Sequence, residues 1–586
     1  MTKKNKKKTD VKIERASNKV FAEMGSYIKK RYPFLLVLLL EILMVSLIYF
    51  AKVSTVETVA GFNLDNYEIG QISDRTIIAD RTLYPDSTDP VMIQKGEKII
   101  KNGFPITEEN YAKLKKMSAS PKYIDYRSFA NGELAIIILS IFWYLLYSII
   151  NFHRKINFRE PLLQVVFFAV VFAVIAFCSK VSFFSSAYSI CMVIPATFCV
   201  VLITILYGNL SAVLFSFILS LGVLIAGNWQ LPTFLYTLAT SLSSAAIVRK
   251  IDKRLQLVWA GILIAVIDVV FMIVMMVIFN EKFNNIIIIS LGLVANGFLT
   301  GVLTLGFLTP LEAMLNTASV FRLMDLSNTD NPVLKQMQIL ANGTYYHSMN
   351  VALLAENACR EIRANALLAK VGAYFHDVGK IDQSEYFVEN QANGENKLIE
   401  LNPTLSASVI KSHVKKGVEK GHQMHLPQAV IDIISEHHGN SVITYFYNAG
   451  KEQDDTLNPE DFSYPGYPPS TKESAVVMLA DTVEAACRTL ENPTAPRLDK
   501  FITTLINAKV EQKQLDNCDL TFRDVSKIKE SFVHILTGQY HNRIKYQNQQ
   551  DPEAEKQEAK PEQKGEAKEP KDSKDIKDDK KTKKDK

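Results

Sequence analysis

Seven of the ten histidines fall between residues 347 and 438. Five of these sit where apolar helical patterns begin, pass or end. His347 opens "HSMNVALLAENACREI", and His376 closes "ALLAKVGAYF" in the stretch "YFHDVGK". His413 lies in "VIKSHVKKG", and His437 and His438 end "PQAVIDIISEHHG". Two carboxylates join them: Asp377, next to His376, and Asp481, which interrupts "VVMLADTVEAACRTL". An unpaired carboxylate in so apolar a helix would be costly to bury. Imidazole and carboxylate are good ligands for divalent transition metals, so on facing helices the seven groups would satisfy one another through metal. Five His and two Asp are more than one ion holds together with a water. Two ions bridged by one carboxylate would use them all, with Asp377 as the natural bridge. Such a pair activates a bridging water as hydroxide and clamps a phosphoryl group from both sides. Lys380, one turn further on, is suited to neutralise phosphate charge. The chemistry favoured is phosphodiester hydrolysis, with Asp377 and Lys380 as the catalytic candidates.

The elements that position these groups are mostly helical, and many are membrane-like. The chain has 586 residues, 48% hydrophobic and 22% charged, which suits several domains. Eight apolar runs, near 33–51, 134–150, 161–178, 187–207, 210–227, 231–248, 255–279 and 286–308, are about long enough as helices to cross a ~30 Å hydrocarbon layer. The first follows a basic stretch and lacks a small-residue cleavage site, so it reads as a retained span. Arg154, Lys155, Arg159, Arg249, Lys250, Lys253 and Arg254 all fall in alternate short loops. The basic N-terminus and everything after 309 are therefore expected in the cytoplasm. The net charge of +5 follows from this topology and from anionic headgroups, without a nucleic acid polymer. None of the six cysteines falls in the expected external segment, so no disulfide framework is implied.

The chain divides into a basic N-terminus (1–32), a first span (33–51), an external segment (52–133), seven more spans (134–309), a linker (310–335), a helical domain (336–547) and a charged tail (548–586). In the external segment "GQISDRTIIADRTLY" has strand-like content, and Thr107 is placed to cap a helix with Glu109 in its first turn. Pro310 and Pro332 read as breakers in the linker. In the helical domain Val351, Leu354, Ala355, Ala358 and Ile362 share one face. Gly439 is a C-terminal stop. The tail cannot bury a core and is expected to be disordered.

Taken together, "GTYYHSMNVALLAENA", "AYFHDVGK", "YFVENQ", "SASVIKSHV", "EHHG", "YPGYPPSTKESAVVMLADTVEAACRTL" and "GQYHNRI" resemble the HD phosphohydrolase superfamily. Within it they are similar to the bacterial seven-transmembrane HD proteins, the membrane-bound cyclic di-AMP phosphodiesterases. The resemblance implies an all-α protein: a polytopic α-helical membrane domain and a cytoplasmic all-helical HD domain, with a small α/β extracytoplasmic segment. It implies two divalent transition ions, Mn2+ or Fe2+, and hydrolysis of cyclic di-AMP to linear pApA at the bacterial cell membrane. His347, His376, Asp377 and Asp481 would hold one ion, and Asp377, His413, His437 and His438 the other. The bilayer and the substrate are the expected partners, and a homodimer is allowed. The external segment matches only the two ends of the family's usual domain.

Other readings compete. His437 and His438 are about 100° apart on a regular helix, so both reach one metal only near a frayed end. His422 and His425 lie just before Pro427 and read as solvated. Gly466-Tyr467-Pro468 invites cyclic di-GMP as substrate, but Tyr467 lies well past the histidine pair, and a coincidental loop is the simpler reading. A non-catalytic nucleotide receptor would have no need of all seven ligands, and a transporter would be short of intramembrane acids. Glu41 and Asp268 are the acids in the spans and thus candidates for function or packing.

Overall fold

The computed structural model describes residues 32–540 apart from 54–63, 65–66, 80, 86–89, 120–125, 151–157, 185, 284, 392–396, 399–400 and 491–492. The basic N-terminus, the loop residues Arg154 and Lys155, and the charged tail lie outside the described residues.

Helix α1 (Tyr32–Val53) leads to a small module. Its strands β1 (Ile77–Ile78) and β2 (Lys98–Ile100) pair antiparallel, and helix α2 (Glu108–Ser118) covers them. Isolated bridges join Ile72 to Pro105 and Leu83 to Ile93. The Thr107 hydroxyl accepts from Asn110 N at 3.2 Å, so the expected cap is in place. Ile77, Ile93, Ile100 and Leu114 form the module's own core.

The membrane-like part continues with α3 (Tyr126–Ile150), α4 (Arg159–Cys178), α5 (Ala196–Tyr207), α6 (Asn209–Ala226), α7 (Leu231–Val248), α8 (Gln256–Ile278) and α9 (Ile286–Leu315). Among the described residues, eight segments are long and apolar enough to cross a membrane, matching the sequence expectation. Helices α8 and α9 approach closely through glycines: a Cβ on Gly301 would lie 2.8 Å from Leu257 O, and one on Gly261 would lie 3.0 Å from Gly301 Cα. Small residues at such crossings let backbones pack where hydrocarbon offers no competing hydrophobic drive. Pro310 differs from expectation, because α9 runs through it to Leu315. Its ring would press on the carbonyl of Gly306, four residues back.

The C-terminal unit comprises α10 (Val320–Leu326), α11 (Pro332–Leu340), α12 (Asn342–Glu361), α13 (Ala366–Phe375), α14 (Pro403–Gln423), α15 (Gln428–Glu436), α16 (Thr444–Lys451), α17 (Lys472–Cys487), α18 (Ala495–Glu511) and α19 (Phe522–Tyr540). Starts are written into the sequence: Asn331 caps α11 with Pro332 in its first turn, Asn402 caps α14 with Pro403, and Thr471 caps α17. One core runs from Leu323 to Leu536, with Val351, Leu354, Ala355 and Ala358 fully buried at its centre. Leu323 and Leu334 belong to it, so part of the segment read as linker packs as domain.

Candidate metal centre

Five helices deliver the seven groups, three of them at or near an end. His347 points inward from the second turn of α12, and Asp481 from the middle of α17. Helix α13 stops at Phe375, with His376 as its C-cap, and Asp377 leads into a 3-10 segment over Val378–Tyr386. Gly379 lets that segment lie against α14, since a Cβ there would run into the His413 carbonyl. The contact brings His413 to Asp377. Helix α15 ends at Glu436, and Gly439 takes φ +57° two residues after its C-cap. The chain leaves the helix between them, so His437 and His438 both turn inward, ring centroids 4.1 Å apart.

The two Asp377 oxygens face different groups. Oδ2 lies 3.2 Å from His376 Nε2 and 3.7 Å from His347 Nε2. Oδ1 lies 3.4 Å from His413 Nε2 and 3.8 Å from His437 Nε2. Asp481 spans the same divide, with Oδ1 3.0 Å from His347 Nε2 and Oδ2 3.5 Å from His438 Nδ1. Two clusters result, His347–His376–Asp377 and His413–His437–His438, each with donor atoms within 4.8 Å of one another.

Hydrogen bonds settle what three of the rings present. His376, His413 and His437 each give Nδ1–H to the carbonyl three residues back, at 2.7, 2.6 and 2.7 Å. In the neutral ring each Nε2 therefore carries a lone pair. The Nε2 atoms of His413 and His437 are 3.2 Å apart with no proton available between them. His376 Nε2 and Asp377 Oδ1 are buried without a hydrogen-bond partner. Opposed lone pairs and orphaned acceptors around two buried carboxylates fit divalent cations and fit little else.

Electrostatics agrees. Burial works against charge on His347 and His376, yet the neighbouring carboxylates outweigh it and raise the rings to about 9 and about 10. Burial carries His413 down to about 4 and His437 to about 3, and lowers His438 too. One half of the site demands positive charge, and the other offers neutral ring nitrogens.

Three supporting residues were missed by sequence reasoning. Glu484, one turn after Asp481, takes His347 Nδ1 at 2.5 Å and is itself held by Arg488 at 2.6 Å and Asn350 at 3.1 Å. Glu389 lies 2.9 Å from Lys380 Nζ, whose other partner is Asp377 Oδ2 at 2.7 Å. Lys380 is thus not a surface charge: it is paired with two carboxylates, one of them Asp377. The Tyr464 ring stacks on His438 at 4.2 Å. The i+3 spacing of Glu484 from Asp481 was the one available signal. His422 and His425 are exposed and take no part. Gly466 packs against the carbonyls of Ser435 and Gly439, while Tyr467 is exposed.

Comparison with known proteins follows this division. Family models match at residues 128–319 (7TM receptor with intracellular HD hydrolase), 344–486 (HD domain) and 84–120 (7TM-HD extracellular). The cyclic-di-AMP phosphodiesterase PgpH of Bacillus subtilis is 31% identical over 493 residues, covering 82% of this chain and 68% of that protein. PgpH of Listeria monocytogenes is 30% identical over 479 residues, covering 79% and 65%. The chain thus spans about two thirds of the length of these relatives. A crystal structure of the L. monocytogenes PgpH HD domain in complex with cyclic-di-AMP is 40% identical, with TM-score 0.35, covering 37% of this chain and 100% of that one.

Proposed function

We propose, from the premise that this chain belongs to the bacterial seven-transmembrane HD-domain family of cyclic-di-AMP phosphodiesterases, that it hydrolyses cyclic di-AMP to linear pApA at a dinuclear centre. The observation that carries this reading is Asp377, whose two oxygens face two separate histidine clusters. His347, His376, Asp377 and Asp481 would hold one ion, and Asp377, His413, His437 and His438 the second. Two divalent transition ions there, Mn2+ or Fe2+, would supply a water acidic enough to attack as hydroxide between them, and Lewis acidity toward the phosphoryl oxygens.

The chain's own residues set the stage for attack on phosphorus. Lys380 and Glu389 fix the Asp377 carboxylate, and Glu484 fixes the His347 ring, so both ligand sets are held before substrate arrives. Solvent reaches the site at His438, whose side chain is 21% exposed against 9% or less for the other six. The dinucleotide enters on that side, past the Tyr464 ring. Water adds to one phosphorus, the P–O3′ bond breaks, and the proton ends on the 3′-oxygen. The product keeps one 5′-phosphate and gains one 3′-hydroxyl, which is pApA. The alternating basic loops support an orientation with the N-terminus and the HD domain in the cytoplasm of a bacterial cell and the small module outside.

Full-length protein in detergent, given Mn2+ and cyclic di-AMP, should release pApA, with excess cyclic di-GMP inhibiting weakly. A preparation carrying two ions per chain that converts no cyclic di-AMP would make this a nucleotide receptor instead.

A further inference from the structure

A carboxylate is buried midway through the membrane-spanning part with nothing bonded to it. Asp268 is 1% exposed, and its Oδ1 has no hydrogen-bond partner. It sits in α8 (Gln256–Ile278), about 18 Å along the axis from the first residue and about 15 Å from the last. It lines a cavity of about 10 Å³ with Thr197, Tyr236, Thr237, Thr240 and Asn296. That is room for one water molecule or one small dehydrated cation.

Most side-chain donors around the cavity are committed elsewhere. Thr237 gives its hydroxyl hydrogen to Thr233 O at 2.8 Å, and Thr240 gives its own to Tyr236 O at 2.9 Å. The Thr197 and Thr300 hydroxyls pair at 3.2 Å. The Asn296 amide donates to Met192 O at 2.9 Å and Ile194 O at 3.1 Å, leaving its own oxygen as an acceptor. Among the lining residues the Tyr236 phenol and the first-turn N–H groups of Ala196 and Thr197 remain as donors. An acid in hydrocarbon surrounded by oxygens is costly as a bare anion.

The fourth span is also broken beside this cavity. A 3-10 turn at Ile190–Met192 gives way to three non-helical residues, and α5 begins only at Ala196, after Pro195. Asn296 pins the exposed carbonyls of the break to α9. Interrupted helices and unwound carbonyls beside an intramembrane acid are a recurrent way to bind a monovalent cation within a bilayer. Among the lining residues a single carboxylate is present, which balances one positive charge and not two.

We propose that this cavity is a sodium-ion site. Asp268 is the charged ligand, and the oxygens of Thr237, Thr240 and Asn296 are neutral ones. The site is independent of the phosphodiesterase reading.

The test is thermal unfolding of the full-length protein in detergent, titrated with sodium chloride against choline chloride at constant ionic strength. The midpoint should rise saturably with sodium and not with choline. D268N should abolish the sodium dependence while unfolding in choline chloride no earlier than wild type. T240V should move the half-saturating sodium concentration up by about tenfold, the loss of one good ligand. No sodium-specific rise, or the same rise in D268N, overturns the site. A midpoint that follows pH but ignores sodium would mean a proton site and equally overturns it. Should D268N fail to fold, an unshifted half-saturation in both T237V and T240V overturns it as well.

Discussion

Glu484 and Asp377 act on the metal centre in different ways, and single substitutions separate them. Among the described residues, Asp377 is the only carboxylate whose oxygens lie near both His376 and His413. D377N should therefore lower the metal content from two ions per chain to one or none and bring hydrolysis to background, read by elemental analysis beside a product assay. Glu484 touches no position where an ion would sit; it holds the far nitrogen of His347. Loss of such an orienting partner typically weakens metal affinity by about 10–100-fold. E484Q should thus need correspondingly more Mn2+ for half-maximal activity while reaching a near-normal kcat at saturation. A collapse of kcat that added Mn2+ does not rescue would assign Glu484 a direct part in the chemistry.

Two glycines give a matched pair at the level of elements. Gly379 lies where the 3-10 segment crosses α14, and a side chain there meets the His413 backbone, with Gly417 N at 2.6 Å. Backbone yields poorly, so G379A should destabilise the unit by about 1–3 kcal/mol and pull His413 away from Asp377, lowering activity as well as the unfolding midpoint. Gly538 near the end of α19 has open space around it. G538A should be neutral or stabilising by up to about 1 kcal/mol with activity unchanged. Equal behaviour of the two variants in calorimetry would mean that the crossing at Gly379 is not tight.

At the scale of the whole molecule the membrane part and the HD unit are joined by named contacts. Arg254, after α7, meets Asp325 of α10 at 2.7 Å and Thr309 of α9 at 2.8 Å. Arg322 bonds the carbonyls of Glu312, Thr317 and His425, linking the end of α9 to the loop after α14. The proposed orientation predicts an active alkaline phosphatase fused after residue 119 and a fluorescent protein fused at the C-terminus that matures, both measured in intact bacteria. The reverse pattern would invert the topology. Stripping metal with a chelator should abolish hydrolysis and lower the unfolding midpoint of the HD unit, because Asp377 and Asp481 would lose their main counter-charge. Added Mn2+ should restore both.

The sequence determined the spans, their number and the seven side chains that the fold brings together. Twenty-residue apolar runs have few alternatives to membrane helices. Histidines at the ends of apolar helices are rare enough to stand out. It also marked the cap at Thr107, since capping is a matter of a few neighbouring residues. Tertiary structure alone decided what depends on approach between distant segments. Glu389 and Glu484 look like any helix carboxylate until Lys380 and His347 are beside them. The sideways exit of His437 and His438 required the end of α15 and the φ of Gly439. Pro310 read as a stop but lies inside a helix. Asp268 was visible as an intramembrane acid, but only packing showed that the threonines and asparagine around it had already spent their hydrogens. Local chemistry is readable along the chain, whereas which lone pairs are left facing each other is a property of the folded whole.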